Sequence, residues 1–437
     1  MEKYKKHFRL SVEDAVNYVK DFNIFDKNSK LKGEEIGDGN INYVFRVIDE
    51  SNNKSVVLKQ ADKFLRSSGR PLDLARSKIE AEILKIQWKY SEESVPKIYY
   101  YDDVMCVIVM EDISEFKNLR KELLKEKIFP NFSDKISSFL VDTLLPTTDL
   151  VMDSGEKKHK VQTFINKELC DISECLVFTE PYDDYKKRNI ILEENKKLVQ
   201  EKLYEDKSLH LEVGKLKNNF MNNAQALIHG DLHSGSIFIN KNGIKVIDPE
   251  FAFYGPMGYD IGNVIGNLYF PLINKKYTMG ESKEKEEFLK WLSNSIEEIF
   301  DMFIVKFKNK YTKLVKKSLY HEKEFMQWYL SEILADSIGS AGLEIIRRVV
   351  GDTKVIEIEG IKDKSKRILV ERELLEIGIR FIKERYSIKK GRALYFNKKR
   401  CLLHLFLLKY KALVFLRYYL REVIIKEKSK KFSRGKG

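Results

Sequence analysis

Cysteine is scarce in this chain. Four cysteines in 437 residues (Cys106, Cys170, Cys175 and Cys401) are scattered without metal-ligand spacing. That excludes a disulfide-framed scaffold or a zinc-binding module and suits a reducing, cytoplasmic setting. No apolar segment follows Met1, so no signal peptide is expected. Internal repeats and low-complexity linkers are also lacking, so composition alone does not place a domain boundary. The net charge of +13 is not concentrated. Lysines are spread along the chain and interleaved with glutamates, which reads as solvated helix faces. Nucleic-acid binding calls for a basic patch interleaved with aromatics, and only the C-terminal tail approaches one, so no nucleic-acid partner is expected.

The apolar and aromatic content, 43% and 12%, is that of a globular protein. The length suits two lobes better than one simple core. The most informative stretch runs from Leu227 to Gly262. It contains His229-Gly230-Asp231-Leu232-His233-Ser234-Gly235-Ser236, then Asn240-Lys241-Asn242-Gly243, then Asp248-Pro249-Glu250, and closes on Asp260. Apolar runs lead into each acidic cluster and place the acids at strand ends or in adjoining turns. The Asn-Lys-Asn-Gly run between two apolar segments predicts a hairpin. Asp231 then precedes the hairpin, and Asp248 and Glu250 follow it. Carboxylates held that close repel unless a cation lies among them or one is protonated. Phosphoryl transfer uses such a set: one acid accepts the proton of the attacking hydroxyl, and others hold the magnesium that bridges the nucleotide phosphates. The bland alternative makes each of them a solvated turn residue.

The His229-Gly-Asp231-Leu-His233 run resembles the catalytic loop of the aminoglycoside-phosphotransferase and choline-kinase group, within the protein-kinase-like fold. The continuation through Ser236 and Asp248-Pro249-Glu250-Phe-Ala-Phe-Tyr-Gly to Asp260 is similar to the S-methyl-5-thioribose kinase family, over about residues 10 to 390. The wider group has Asn, a ligand of a second metal, where this chain has Ser236, and the resemblance gives that place to Glu250. It implies a two-lobed α+β fold: a small antiparallel-sheet N-lobe over residues 1–113 and a larger, mainly helical C-lobe over 114–388. The implied activity is ATP-dependent phosphorylation of the 1-hydroxyl of S-methyl-5-thioribose, with Asp231 as catalytic base, Asp248 and Glu250 on Mg2+, and a homodimeric assembly.

Along the N-terminal part, Ser11 and Asp14 mark the start of a helix over 8–22, with Val12, Val16 and Val19 on one face. Residues 33–60 read as strands around the glycine turn Gly37-Asp38-Gly39-Asn40. Lys59 ends the β-run Ser55–Leu58, where it can pair with nucleotide phosphates, or stand as an ordinary exposed strand-end lysine. The resemblance puts Asn40 and Lys59 at nucleotide-binding positions and makes Glu80, on the helix after Pro71, the brace for Lys59. Glu82 lies about 200° further around that helix. Val95–Tyr101 and Met105–Met110 read as two buried strands. They lead to Glu111-Asp112-Ile113, which resembles the hinge whose backbone reads adenine. With Asp248, Pro249 and Glu250 these complete the expected ATP-binding set.

Helical spacing recurs over Phe116–Lys127, Ser133–Thr143, Glu168–Leu176, Ser282–Lys310 and Phe325–Ile338, Leu203–Phe220 leads into the loop that carries Asp231, and the resemblance makes Ile361–Tyr386 a last helix. The small residues of Gly339-Ser-Ala-Gly342 permit close helix approach. Arg347 and Arg348 then end a helix, either as cations at its C-terminus or as paired arginines, one of which the resemblance places on the sugar and which can also stabilise charge on a transferring phosphoryl group. The family continues with Gly-Leu-Ala-His-Val where this chain has Gly351-Asp-Thr-Lys-Val355. The tail from Lys389 on lies beyond the resemblance. Its apolar run Cys401–Leu420 contains Lys409, Lys411 and Arg417, each costing about 2.5–3.5 kcal/mol at a bilayer centre, which argues against a span. A basic helix lying on a membrane surface and a helix packed on protein both remain open. Two rival functions accompany the sugar-kinase reading: a choline- or aminoglycoside-type kinase, whose cationic substrates call for an acidic cleft, and a non-catalytic binding protein acting through the tail.

Overall fold

The computed structural model describes residues 2–36, 42–64 and 71–395, and the compact unit runs to Leu394. The glycine turn with Asn40 and nearly all of the basic tail, Cys401 included, lie outside the described residues. Helix α1 (Val12–Asp21) opens the chain with the expected capping box: Ser11 Oγ accepts the Asp14 N–H, and the Asp14 carboxylate accepts the Ser11 N–H. Strands β1 (Leu31–Glu35), β2 (Tyr43–Asp49) and β3 (Ser55–Gln60) follow. Next come helix α2 (Ala75–Tyr90) and strands β4 (Ile98–Asp102) and β5 (Val107–Glu111). All five strands form one antiparallel sheet in the order β1-β2-β3-β5-β4. One face of the sheet, with Phe45, Val47, Leu58, Val107 and Val109, packs on Tyr18 and Val19 of α1. The other face, with Val57, Ile108 and Met110, meets Ala81 of α2. That sandwich fixes α2 beside β3, so Glu80 faces Lys59.

The C-lobe begins with a short strand β6 (Lys117–Asn118) and helices α3 (Leu119–Leu124), α4 (Phe132–Leu144), α5 (Ser154–Thr163), α6 (Lys167–Leu176), α7 (Lys196–Val199) and α8 (Lys207–Asn222). A strand-rich segment follows: β7 (Ala226–Ile228), β8 (Ile237–Ile239), β9 (Ile244–Val246) and β10 (Phe253–Gly255). It ends with α9 (Gly258–Thr278), α10 (Lys283–Leu314), α11 (Lys323–Val350), α12 (Ile356–Glu359) and α13 (Lys364–Glu384). Helices α9, α11 and α13 cross closely because small residues line their contacts. Gly262 lies on Ser337 and Ala341, and Gly342 lies on the Gly378 backbone, where a Cβ would collide. The small residues 339–342 therefore serve helix approach, as expected.

Several expectations need correction. The stretch from Phe116 begins as β6, paired with β8, before α3 starts. Residues 325–348 form one helix: the glycines sit against neighbours that reward their size, so they do not interrupt it. Strand β5 is buried, but β4 is an edge strand with Tyr99 and Tyr100 exposed, so an aromatic run there does not mean burial. The lobe also extends past residue 388, because Leu394 is fully buried and accepts a hydrogen bond from Tyr269 Oη (2.8 Å).

Candidate active site

The loop after β7 carries the site. Gly230 adopts φ 82°, a conformation that disfavours any Cβ, and lies against the Phe251 carbonyl. The carboxylate of Asp260, in the first turn of α9, accepts the N–H groups of His229 (2.7 Å) and Gly230 (3.0 Å). His229 Nε2 donates to the Ile247 carbonyl (2.9 Å), next to Asp248, and its Nδ1 accepts the Asp231 N–H (3.3 Å). The loop is thereby tied at one end to α9 and at the other to the acidic turn. The expected hairpin is present: β8 pairs with β9 around Asn240, whose N–H donates to the Gly243 carbonyl (3.1 Å).

Two clusters result. In the first, Lys59 Nζ donates to Asp248 (2.6 Å), Glu80 (2.7 Å) and Glu250 (3.1 Å). Burial opposes its charge, but Asp248, Glu80 and Glu250 outweigh that and raise its pKa well above the ordinary lysine value. Burial pushes the Glu80 carboxyl up, against the pull of Lys59. Glu250 also accepts from Asn42 Nδ2, and its Oε2 lies 3.3 Å from Arg76 Nε. The cation among these acids is thus the protein's own lysine. Asp248 is the accessible member, its side chain 45% exposed, on a left-handed backbone with φ 63°. Glu82 pairs with Lys85 instead.

In the second cluster, Asp231 Oδ1 lies 3.4 Å from Arg347 Nη2, and its Oδ2 lies 3.5 Å from His233 Nε2. Burial pulls the Asp231 carboxyl up, while His233, Arg347 and Arg348 hold it down at about 2. It is ionised at neutral pH and can accept a proton. Both arginines bond to Glu344, with Arg348 Nε at 3.0 Å from it. Asn267 Nδ2 donates to Glu344 (3.1 Å), and Arg120 donates to Asn267 (2.7 Å) and to Ser234 Oγ (3.1 Å). Ser236 Oγ, where the wider group has Asn, donates to the Asp231 carbonyl (3.3 Å).

At the hinge, Asp112 accepts from Arg46 (2.6 Å) and Ser55 (2.5 Å), and Glu111 pairs with Lys245 (3.0 Å). The Glu111 N–H donates to the Lys97 carbonyl (2.8 Å), and the Ile113 carbonyl accepts the Phe116 N–H (2.9 Å). Glu111 therefore ties the end of β5 to β9 in the C-lobe, while Asp112 ties it to β2 and β3. Pro249 lies between the two metal-candidate acids, and its carbonyl accepts the Ala252 N–H (3.2 Å). The sequence reading gave no role to Arg76, Arg120, Asn267, Glu344 or His233. Two carried a signal in their spacing: Arg76 stands one helical turn before Glu80, and Glu344 one turn before the arginine pair.

The acids suit a hard divalent cation in chemistry. Magnesium is typically held by one or two carboxylates plus substrate phosphates, and Asp248 and Glu250 are such a pair. Glu250 Oε2 is buried without a hydrogen-bond partner. No group of three or more metal-ligating side chains occurs among the described residues.

The model of the Phosphotransferase enzyme family matches residues 172–275. The methylthioribose kinase of Geobacillus sp. (strain WCH70) is 36% identical over 381 residues, covering 87% of this chain and 92% of the relative. That of Bacillus cereus (strain AH820) is 37% identical over 379 residues, covering 86% and 93%. Among solved structures, choline kinase from Cryptosporidium parvum Iowa II is 15% identical, covers 86% of this chain and 100% of its own, and has a TM-score of 0.48. Likeness at this level over nearly the whole length of the curated relatives, with the loop and acids arranged as above, shows that the chain belongs to the methylthioribose kinase family.

Proposed function

We propose that this protein transfers the γ-phosphoryl group of ATP to the 1-hydroxyl of S-methyl-5-thio-D-ribose, giving the 1-phosphate in methionine salvage. The observation that carries the reading is the ionised Asp231, held beside Arg347 and His233 and tied through His229 to the turn that bears Asp248. Asp231 accepts the proton of the hydroxyl as its oxygen attacks phosphorus. Arg347 or Arg348 fixes the sugar or the charge on the transferring group. Lys59, braced by Glu80, pairs with nucleotide phosphates, and family resemblance supports a nucleotide-binding role for Asn40. Backbone groups of Glu111, Asp112 and Ile113 not already bonded within the protein read adenine. Asp248 and Glu250, with Pro249 between them, would hold Mg2+. When bound, the ion would offset the charge on the nucleotide phosphates.

The arginines around Asp231, with Arg347 buried among them, argue against a cationic choline- or aminoglycoside-type substrate. The proposal includes a homodimer, supported by family resemblance. It also includes a cytoplasmic location, which the free Cys106, Cys170 and Cys175 suit. No helix among the described residues is long and apolar enough to cross a membrane. ATP consumption with methylthioribose, ribose and choline as acceptors tests the reading. Turnover on methylthioribose is expected, and turnover on choline alone would overturn it.

A further inference from the structure

His233 lies two residues after Asp231, and its ring is held in an informative way. Its Nδ1 accepts the backbone N–H groups of Gly235 (3.0 Å) and Ser236 (3.1 Å). A nitrogen that receives two N–H donors carries no proton of its own. The proton of the neutral ring is therefore on Nε2, the atom 3.5 Å from Asp231 Oδ2. Room for the ring is built into the turn. A Cβ at Gly235 would lie 2.7 Å from His233 Cε1 and 2.9 Å from Nδ1, so a larger residue would displace the imidazole.

We propose that His233 is a positioning residue for phosphoryl transfer: its Nε2–H donates to Asp231 Oδ2 while Arg347 holds Oδ1, so the carboxylate cannot rotate and presents its remaining lone pairs to the attacking hydroxyl. The inference rests on the reading of Asp231 as the base. Both contacts are long, 3.4 and 3.5 Å, as expected where catalytic hydrogen bonds tighten only with substrate bound. The ring stays a neutral donor at working pH. Burial lowers its pKa to about 4, against the pull of Asp231, with Arg120 and Arg348 adding to the lowering and Glu344 opposing it.

Three substitutions separate donation to Asp231 from simple support of the loop. Gln can extend an N–H to the place of Nε2, Asn offers an acceptor only near Nδ1, and Leu offers neither. On the full-length protein with ATP, Mg2+ and methylthioribose, H233L and H233N are expected to lose about 10–100-fold in kcat, the scale of a misoriented catalytic group. H233Q should recover at least half of that loss on a logarithmic scale, with the KM for ATP within about twofold of wild type throughout. G235A should lose kcat alone yet cost little more in the H233L background, because the two changes remove the same interaction. An H233N enzyme as active as wild type, beside an H233Q enzyme as poor as H233L, would overturn the proposal and leave His233 as a loop anchor. D231A run alongside distinguishes the failures. If D231A is inactive and H233L is fully active, this inference alone fails; if D231A is fully active, the role of Asp231 as base fails first.

Discussion

The guanidinium of Arg347 lies 3.4 Å from the carboxylate of Asp231 and is itself bonded to Glu344. A helix end in the C-lobe thus reaches the loop after β7 and, with His233, helps keep the Asp231 carboxylate ionised. Arg347→Ala removes one of the cations that hold Asp231 down at about 2. Its carboxyl should then titrate at higher pH. The kcat–pH profile is expected to gain an acid limb that lies below the accessible range in wild type, together with a drop in kcat. An unchanged profile would mean that Arg347 does not act on Asp231.

The ammonium of Lys59 is shared by Glu80, Asp248 and Glu250. Lys59→Met leaves the buried Glu80 and Glu250 facing one another and the more exposed Asp248. Removing one partner of a buried pair costs about 3–5 kcal/mol. Chemical denaturation should show a loss of that order, with a raised KM for ATP. Adding Glu80→Gln should restore part of the stability but not the affinity for nucleotide. Recovery of both would place Lys59 in the scaffold alone.

Asp260 accepts two backbone N–H groups of the loop after β7, those of His229 and Gly230. Asp260→Ala strands both, and each buried unsatisfied group costs about 1–3 kcal/mol. The melting temperature should fall, and amide exchange at His229 and Gly230 should accelerate. Asp260→Asn keeps one acceptor and should fall between. Equal stability of the two variants would contradict this account of the loop.

Acid should weaken the fold in two stages. His233 titrates at about 4 in the folded chain against 6.5 for the ordinary residue, so the unfolded chain binds more protons between those values and stability falls as pH drops from about 6.5 to 4. Asp231 has a depressed pKa, so the stability it contributes is present above its ordinary value of 3.8 and is lost as pH falls towards about 2. Denaturant midpoints measured from pH 7 to 3 should decline across the upper window in wild type and flatten there in H233L. An equal slope in both would remove His233 as its source.

Local chemistry made much of the site legible. Ser11 with Asp14, the Asn240–Gly243 hairpin and the Lys59–Glu80 pair each depend on short-range spacing or on a recurring motif, and the structure has all three. What escaped the sequence reading depends on packing between distant segments. Pro271 normally ends a helix, yet α9 runs through it because its walls are almost wholly buried against neighbours. Arg120 and Asn267 are separated by much of the chain and meet only once α3 and α9 dock. The tyrosines of β4 read as buried because aromatic runs fit either face of a sheet. Only the completed sheet shows that β4 is its edge.

The most direct test is phosphorus NMR of the purified full-length protein incubated with ATP, Mg2+ and S-methyl-5-thio-D-ribose, beside its Asp231→Ala variant. The account predicts an anomeric sugar phosphate formed in step with ADP by the wild type, and formation slower by about 10²–10⁴-fold in the variant. ADP released without sugar phosphate, or equal rates from the two proteins, would contradict it.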